Sequence, residues 1–341
     1  MTFIVLIQLI LSCYHCEDEV PKDLESAEIV VVSIQSNQPA MLLRQVKTFR
    51  AFLKERIKAY LVIIKDSPSK EMTAMYHNYC SNLSLECISV PIGESWDEWN
   101  VRHGFELDPG TSWVEKGASW LHGQAINWAW QEIVIERFPQ DTVLITEQDV
   151  FMFATLSVKA SLSPLASRSY RELSDNRDET CRQPCNLAGV SQTRLNEDSY
   201  EVEYLHPSFL ILDLHTLPHP NTIFFGPSNF NGSRLDTGGG TAEYISAMAA
   251  MSEGTEARVG ICRLPQRAFG RESCFWEYRD ELGLPDVYAE AIIHLSRSSG
   301  WSGKVDDSFT KARNSCLWLL LDEALSRNGF LNSQAVNQAI L

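Results

Sequence analysis

Two carboxylates stand between two apolar runs in the stretch Asp141-Thr-Val-Leu-Ile-Thr-Glu-Gln-Asp-Val-Phe-Met-Phe153. Val143 to Ile145 follow the helix-stop signal Phe138-Pro139 and predict a strand that is buried on both faces. Glu147 and Asp149 come just past the carboxyl end of this strand, which is where ligands collect in open α/β sheets. Carboxylates in such surroundings are costly unless a cation, a proton or hydrogen bonds compensate them. The stretch therefore predicts either a ligand site or a strand-end turn in which Asp149 caps the next segment.

The first half of the chain alternates between apolar runs and helical periodicity. Such alternation predicts right-handed crossovers between parallel strands. Further strands are expected at Glu28 to Ile34, Ala59 to Ile64 and Leu85 to Val90, with helices at 39–53, 69–79 and 118–138. Residues 93–117 are polar, rich in tryptophan and without a clear period, so we expect them to form a long loop.

The second half of the chain is mixed in character. Residues 163–199 are polar and only weakly periodic. The expected elements after them are a strand at Tyr204 to Leu214, a helix opened by Asp236-Thr-Gly-Gly-Gly-Thr241, a short strand at Ala289 to Leu295 and a final helix at Phe309 to Leu325. No linker follows residue 25, so we expect residues 25–330 to form one domain with halves at 28–155 and 156–330.

The composition and charge of the chain exclude some classes of function. Its 341 residues are 44% hydrophobic, which is enough for a large core. The net charge of −15 argues against nucleic-acid binding as the main activity, since no basic groove is indicated.

The N-terminus and the cysteines indicate the secretory pathway. Residues 1–16 resemble a signal peptide, although no Lys or Arg precedes the apolar run, and a buried N-terminal strand or helix is the alternative. The apolar run is too short to span a bilayer, so no stable membrane span is expected beyond this leader. Asn82 and Asn231 begin glycosylation sequons. The nine cysteines include the close pairs Cys80/Cys87, Cys181/Cys185 and Cys262/Cys274, whose connectivity the sequence does not fix.

The order of these parts, over roughly residues 28–305, resembles the GT-A fold of nucleotide-sugar-dependent glycosyltransferases. The resemblance implies an α/β fold with a Rossmann-type, mostly parallel sheet flanked by helices and a mixed C-terminal half. Residues 28–155 would then form the nucleotide-binding half and residues 156–330 the acceptor half. The implied activity is transfer of a sugar from a UDP- or GDP-linked donor to a hydroxyl group of a glycan, lipid or protein acceptor.

In GT-A enzymes, a strand-end D-x-D-like element binds a divalent ion on the donor diphosphate, and Glu147-Gln148-Asp149 matches it here with Glu in the first position. The resemblance implies that Asp149 and His294 bind Mn²⁺ or Mg²⁺ and that Glu147 supports the ion directly or through water. A hard divalent cation prefers oxygen ligands and tolerates one imidazole. The alternative for His294 is an ordinary histidine of the core or of a strand end.

The resemblance also implies roles for five further residues. Ser33, Asp66 and Asn127 match positions that contact the nucleotide, while Ser33 and Asp66 as turn formers and Asn127 as a solvated helix residue are the alternatives. Asp236 and Glu243 are candidates for the general base that deprotonates the acceptor. Asp236 is also placed to cap a helix N-terminus.

Two other functions remain open from the sequence. Asp236 to Gly240 are similar to the acidic, glycine-containing loop of S-adenosylmethionine-dependent methyltransferases, although that loop should follow a buried apolar strand. A non-catalytic GT-A-like protein that binds glycans would keep the same architecture.

Overall fold

The computed structural model describes residues 27–65, 69–91, 96–103, 118–163, 185–196, 199–251, 259–269, 271, 273–295 and 307–328. The expected leader at 1–16 and the candidate nucleotide contact Asp66 lie outside the described residues, as do Cys181 and Trp113.

The described residues form strands and helices whose bounds largely follow the apolar patterns. The strands are β1 (Glu28–Gln35), β2 (Arg56–Ile64), β3 (Glu86–Ser89), β4 (Thr142–Glu147), β5 (Val150–Met152), β6 (Leu187–Leu195), β7 (Glu201–Asp213), β8 (Ser228–Phe230), β9 (Ser233–Leu235), β10 (Ile261–Arg263), β11 (Gln266–Ala268), β12 (Asp286–Tyr288) and β13 (Ile292–His294). The helices are α1 (Pro39–Phe52), α2 (Lys70–Leu83), α3 (Trp96–Arg102), α4 (Ala118–Ala129, continued by a π-helical turn at Trp130–Val134 and by Ile135–Arg137), α5 (Val158–Ser161), α6 (Gly240–Met251), α7 (Arg279–Leu282) and α8 (Asp307–Arg327).

The main sheet has seven strands in the order β10-β6-β7-β4-β1-β2-β3 among the described residues. Its strands run parallel except for β7, which is antiparallel to both of its neighbours. The expected α/β fold with a mostly parallel sheet is therefore confirmed.

The central strands are buried on both faces, as the uninterrupted apolar runs predict. Val31 and Leu144 pack on one face with Phe49 of α1. Val143 lies on the other face with Trp130, which belongs to the continuation of α4. Alternate residues of a strand point to opposite faces, so a strand sandwiched between helices needs apolar side chains at every position.

A second sheet, with the order β11-β12-β13-β5, is antiparallel and confirms the mixed character of the C-terminal half. Its edge strand β5 follows β4 after the two residues Gln148 and Asp149, so the two sheets meet at this turn. His294 of β13 pairs with Val150 of β5, and the amide of Leu295 donates to the carbonyl of Asp149 at 3.0 Å. This register brings a histidine of the C-terminal half beside the turn at Gln148 and Asp149, the acidic turn.

Two expectations about local structure were wrong, and one strand had no counterpart in the sequence pattern. Part of the predicted loop at 93–117 is helix α3, because Trp99 is buried and its indole donates to Glu132 at 3.0 Å. The weakly periodic region at 163–199 contains β6, whose outer half is exposed and so lacks an apolar pattern. Asp236 does not cap a helix, since α6 begins at Gly240 and the Asp236 carboxylate instead accepts from the adjacent Thr237 amide at 2.7 Å.

Disulfide bonds join Cys80 to Cys87, Cys185 to Cys262 and Cys274 to Cys316. The first of the close pairs is confirmed. The two other close pairs do not form, because β10 lies beside β6 and so brings Cys262 to Cys185, two residues before that strand.

None of the helices within the described ranges combines the length and the apolar character that crossing a membrane requires.

The turn before α6 requires glycine at position 238. Gly238 has a φ of +91°, and a Cβ atom there would lie 2.4 Å from the carbonyl oxygen of Leu205. We expect Gly238→Ala to lower the free energy of unfolding by about 2–5 kcal/mol, because overpacking adds to backbone strain. Gly232 is the matched control, since it has a φ of +74° but a Cβ atom there would meet no other atom within 4 Å. Urea denaturation should show a loss of only about 1 kcal/mol for Gly232→Ala, and equal losses would contradict the steric argument.

Candidate metal centre

Glu147, Asp149 and His294 converge at the junction of the two sheets. Nε2 of His294 lies 3.6 Å from Oε2 of Glu147 and 3.6 Å from Oδ1 of Asp149. One ligand atom from each residue lies within 4.8 Å of the other two. Asp149 and His294 are each 6% exposed, so the cluster is screened from solvent. The structure thus brings together the three residues that the sequence offers as metal ligands.

The acidic turn is held by the side-chain amide of Gln45 on α1. Its Nε2 donates to the carbonyl of Glu147 and, at 2.9 Å, to that of Val150. Its Oε1 accepts from Ser33 and, at 3.1 Å, from the hydroxyl of Tyr60. This buried amide therefore ties β1, β2 and the turn together from one position.

Gln148, the middle residue of the element, points to the loop after β1. Its Oε1 accepts from the amide of Ser36 at 3.1 Å, and its Nε2 donates to Asn37 at 3.2 Å. The two carboxylates on either side of it face His294 instead. The loop that follows β1 thus lies beside the candidate metal ligands.

His294 is oriented by a hydrogen bond on its other ring nitrogen. The hydroxyl of Tyr288 lies 2.6 Å from Nδ1, which leaves Nε2 toward the carboxylates. Burial works to lower the pKa of His294, but Asp149 and Glu147 outweigh it and raise that pKa to about 9. A second contact that fixes the ring is characteristic of histidines that ligate metals.

His122 of α4 approaches Glu147 from the opposite side. Its Nε2 lies 2.9 Å from Oε1 of Glu147, in a close polar contact without the alignment of a regular hydrogen bond. Burial works to raise the pKa of Glu147, but His122 and then His294 hold it well below its usual range. Glu147 is therefore a partly buried carboxylate that the neighbouring imidazoles keep ionised.

A third histidine, His206 on β7, lies near the cluster. Its ring centroid is 6.5 Å from that of His294, and its Nδ1 accepts from the amide of Ser208 at 3.2 Å. Residues 207–209 of β7 have no paired residue in β6 and so form a bulge. Bulges often redirect side chains next to functional sites. Burial lowers the pKa of His206. The ring is thus held neutral with its proton on Nε2.

Arg313 of α8 adds a buried cation to the surroundings of the site. Its side chain is fully buried, and one guanidinium nitrogen donates to the carbonyl of Leu282 at 3.3 Å. Burial lowers its pKa to about 10, while the charge of Asp149 acts in the opposite direction.

The other predicted site residues lie in different surroundings. Ser33 is buried within β1, which runs one residue further than expected, and it bonds to Gln45. Asn127 is fully buried and accepts from the amide of Phe225 at 2.7 Å, so it is not a solvated helix residue. Asp236 is half-buried in the turn before α6, and Glu243 is exposed on that helix. Their functional roles stay predictions.

Some residues of the site were not singled out from the sequence. Gln45 and Tyr288 carry no motif, and their importance follows only from the contacts they make. His122 lies on the same predicted helix as the candidate Asn127, and His206 lies in the predicted strand at Tyr204 to Leu214, so a search for histidines in those elements would have found them.

The donor set fits a divalent cation. Two carboxylates and one imidazole supply the oxygen-rich, partly nitrogenous ligands that Mn²⁺ accepts. Glu147 and His294 are each oriented by a further contact, to His122 and to Tyr288.

No protein-family model matches the sequence, and no curated protein sequence is significantly similar to it. Among solved structures, the chain is similar to the mannosyltransferase PcManGT from Pyrobaculum calidifontis in complex with GDP-Man and Mn²⁺. The match has 11% identity and a TM-score of 0.30 over 99% of this chain and 85% of that chain. The chain is also similar to the apo structure of the bifunctional glycosyltransferase WbbM, with 12% identity and a TM-score of 0.30. That match covers 58% of this chain and 33% of WbbM, so it spans about a third of that protein.

The hydrogen bonds that Gln45 makes at the acidic turn can be tested by removing its side-chain amide. We expect Gln45→Leu to lower the free energy of unfolding by about 2–4 kcal/mol, because buried carbonyls at the acidic turn lose their donor. Gln131→Leu is the matched control, since Gln131 makes one exposed hydrogen bond to the carbonyl of Asn221. That substitution should cost less than about 1 kcal/mol in urea denaturation. Similar losses of stability for the two variants would show that the buried hydrogen bonds of Gln45 contribute no more than one exposed hydrogen bond.

Proposed function

We propose that the chain is a glycosyltransferase that moves a sugar from a nucleoside-diphosphate donor to a hydroxyl acceptor. The observation that carries the proposal is the convergence of Glu147, Asp149 and His294 at the carboxyl end of a central strand. His294 is distant in sequence from the two carboxylates, and all three residues are the ones that the GT-A resemblance selected.

Asp149 and His294 would hold the metal, with Glu147 as a third ligand. A bound divalent ion would neutralise the charge that develops on the departing nucleoside diphosphate. We propose Mn²⁺ in preference to Mg²⁺, because an imidazole ligand suits Mn²⁺ better. The low exposure of Asp149 strengthens the attraction between its carboxylate and a cation.

Asp236 is the proposed general base. It is half-buried at the turn before α6, and its charge acts on His206, which itself lies beside His294. We propose that Asp236 acts from the side of the metal centre on which His206 lies. Glu243, which is exposed on α6, is the second candidate.

The Asp236–Gly240 turn gives no support to a methyltransferase. It follows β9, which belongs to a two-stranded hairpin and not to the main sheet. The glycine-containing loop that binds S-adenosylmethionine would follow a buried strand of the main sheet, as expected from the sequence pattern.

The proposed setting is the lumen of the secretory pathway or the extracellular space. The three disulfide bonds of the described residues support it, because disulfides persist in oxidising compartments. Asn231 is exposed and Asn82 is exposed at the end of α2, as glycosylation would require. A UDP- or GDP-linked donor and a glycan, lipid or protein acceptor are the proposed substrates.

The donor site can be tested by thermal unfolding with UDP or GDP, with and without Mn²⁺. Ligand at a hundredfold excess over Kd stabilises the folded state by about 2.7 kcal/mol, which raises the Tm by several degrees. We expect a shift that requires Mn²⁺ and disappears in Asp149→Asn, whose own Tm stays close to that of the wild type. Asp141→Asn is the control, since this carboxylate pairs with Lys58 at the far end of β4.

Three results would contradict the proposal. A shift with S-adenosylmethionine alone would support the methyltransferase alternative. A shift with glycans, without any consumption of a UDP- or GDP-sugar, would indicate a binding protein. A nucleotide shift that Asp149→Asn leaves intact would remove the proposed metal centre from the donor site.

The role of Asp236 predicts a separation of binding from turnover. We expect Asp236→Asn to lower kcat by about 10²–10⁴-fold, because the acceptor hydroxyl loses its base, while nucleotide affinity stays unchanged. Donor consumption measured at saturating Mn²⁺ would check this. If Glu243→Gln and not Asp236→Asn lowers kcat, the base is Glu243.

A further inference from the structure

We propose that His122 is a positioning residue that sets the ion selectivity of the metal centre by holding one oxygen of Glu147. This inference rests on the proposed function only in that it requires a divalent ion at Glu147, Asp149 and His294. It extends that function, because it assigns a role to a residue outside the set of ligands.

The two carboxylate oxygens of Glu147 have different neighbours. Oε1 lies 2.9 Å from Nε2 of His122, and Oε2 lies 3.6 Å from Nε2 of His294. Only the second oxygen is therefore directed at the centre shared with Asp149. One oxygen of the carboxylate thus makes a positioning contact, and the other is available as a metal ligand.

The position of His122 is fixed by the fold. It lies on α4, which packs against the face of the main sheet opposite to α1, and its side chain is buried. Nε2 has no regular hydrogen-bonding partner among the described residues, and its close polar contact there is with Oε1 of Glu147. A helix and a strand thus approach Glu147 from opposite sides.

A carboxylate with one oxygen occupied can give a metal only its other oxygen. Mn²⁺ and Mg²⁺ take octahedral sites in which a carboxylate binds through one oxygen, whereas Ca²⁺ takes six to eight oxygens and readily binds both oxygens of one carboxylate. His122 therefore favours the smaller ions over Ca²⁺. Without it, Glu147 is able to turn and present both oxygens.

The test compares His122→Phe and His122→Gln in the full-length protein with the metals alone as probes. Phenylalanine keeps the ring and removes the donor, while the amide nitrogen of glutamine reaches the place of Nε2. We expect His122→Phe to weaken Mn²⁺ binding by about 10–100-fold, as is typical for residues that support metal ligands. Ca²⁺ binding should weaken much less, so the preference for Mn²⁺ falls. His122→Gln should restore both values to within about threefold of the wild type.

His103→Phe is the matched control. His103 forms a similar pair with Glu132, with Nε2 to Oε1 at 3.1 Å, away from the acidic turn. Its ring stacks on Trp99, and phenylalanine keeps that contact. The Mn²⁺ and Ca²⁺ affinities of His103→Phe should equal those of the wild type. Electron paramagnetic resonance of free Mn²⁺, with Ca²⁺ as competitor, gives both affinities.

The proposal is overturned if His122→Phe, once shown to be folded, keeps the Mn²⁺ preference over Ca²⁺ of the wild type. It is also overturned if His122→Gln is as defective as His122→Phe. Should His122→Phe fail to fold, His122→Asn replaces it, because the asparagine amide occupies the place of Nδ1 and does not reach Glu147. If the Asn and Gln variants then show the same preference for Mn²⁺ over Ca²⁺, the positioning role of His122 is refuted. Wild-type protein that binds Mn²⁺ but no nucleotide refutes the proposed function and leaves this inference standing. Wild-type protein that binds no Mn²⁺ refutes the metal centre and this inference together.

Discussion

A single buried amide holds the place where the two sheets of this protein meet. β4 belongs to the seven-stranded sheet and β5 to the four-stranded sheet, with only Gln148 and Asp149 between them. Gln45 donates to carbonyls on both sides of that turn and accepts from residues of β1 and β2. Buried polar groups are costly unless they are satisfied, so this network fixes one arrangement of the sheets. The position of every candidate ligand follows from it.

Much of the fold could be predicted because buried parallel strands leave a strong signal. Runs such as Val143 to Ile145 have no polar interruption, and the helices between strands show their own period. Elements and disulfides could not be predicted where burial is partial or where they depend on contacts distant in sequence. β6 is exposed over its outer half, α3 forms around the buried Trp99, and Cys262 finds Cys185 only through the pairing of β10 with β6. Patterns along the chain do not carry such information.

The candidate site was predicted in part, for a different reason. Glu147 and Asp149 are conspicuous as charges between apolar runs, but nothing local connects them to His294; that link came from the GT-A resemblance. The supporting residues gave no signal, because a glutamine on an amphipathic helix or a tyrosine on a short strand is ordinary in sequence. The roles of Gln45 and Tyr288 become apparent only from the hydrogen bonds that they make at the folded turn and to His294 of β13. Ligands are thus easier to predict than the contacts that orient them.

The pairing of β5 with β13 has a consequence for how the chain is made. Glu147 and Asp149 leave the ribosome long before His294, and domains begin to fold as they emerge. The nascent first half therefore carries two neighbouring carboxylates that repel each other before their imidazole partner is synthesised. The insertion of β13 beside β5 relieves this repulsion. The centre is complete only when the second sheet has closed, so the capture of an ion there would report that synthesis and folding of both halves have finished.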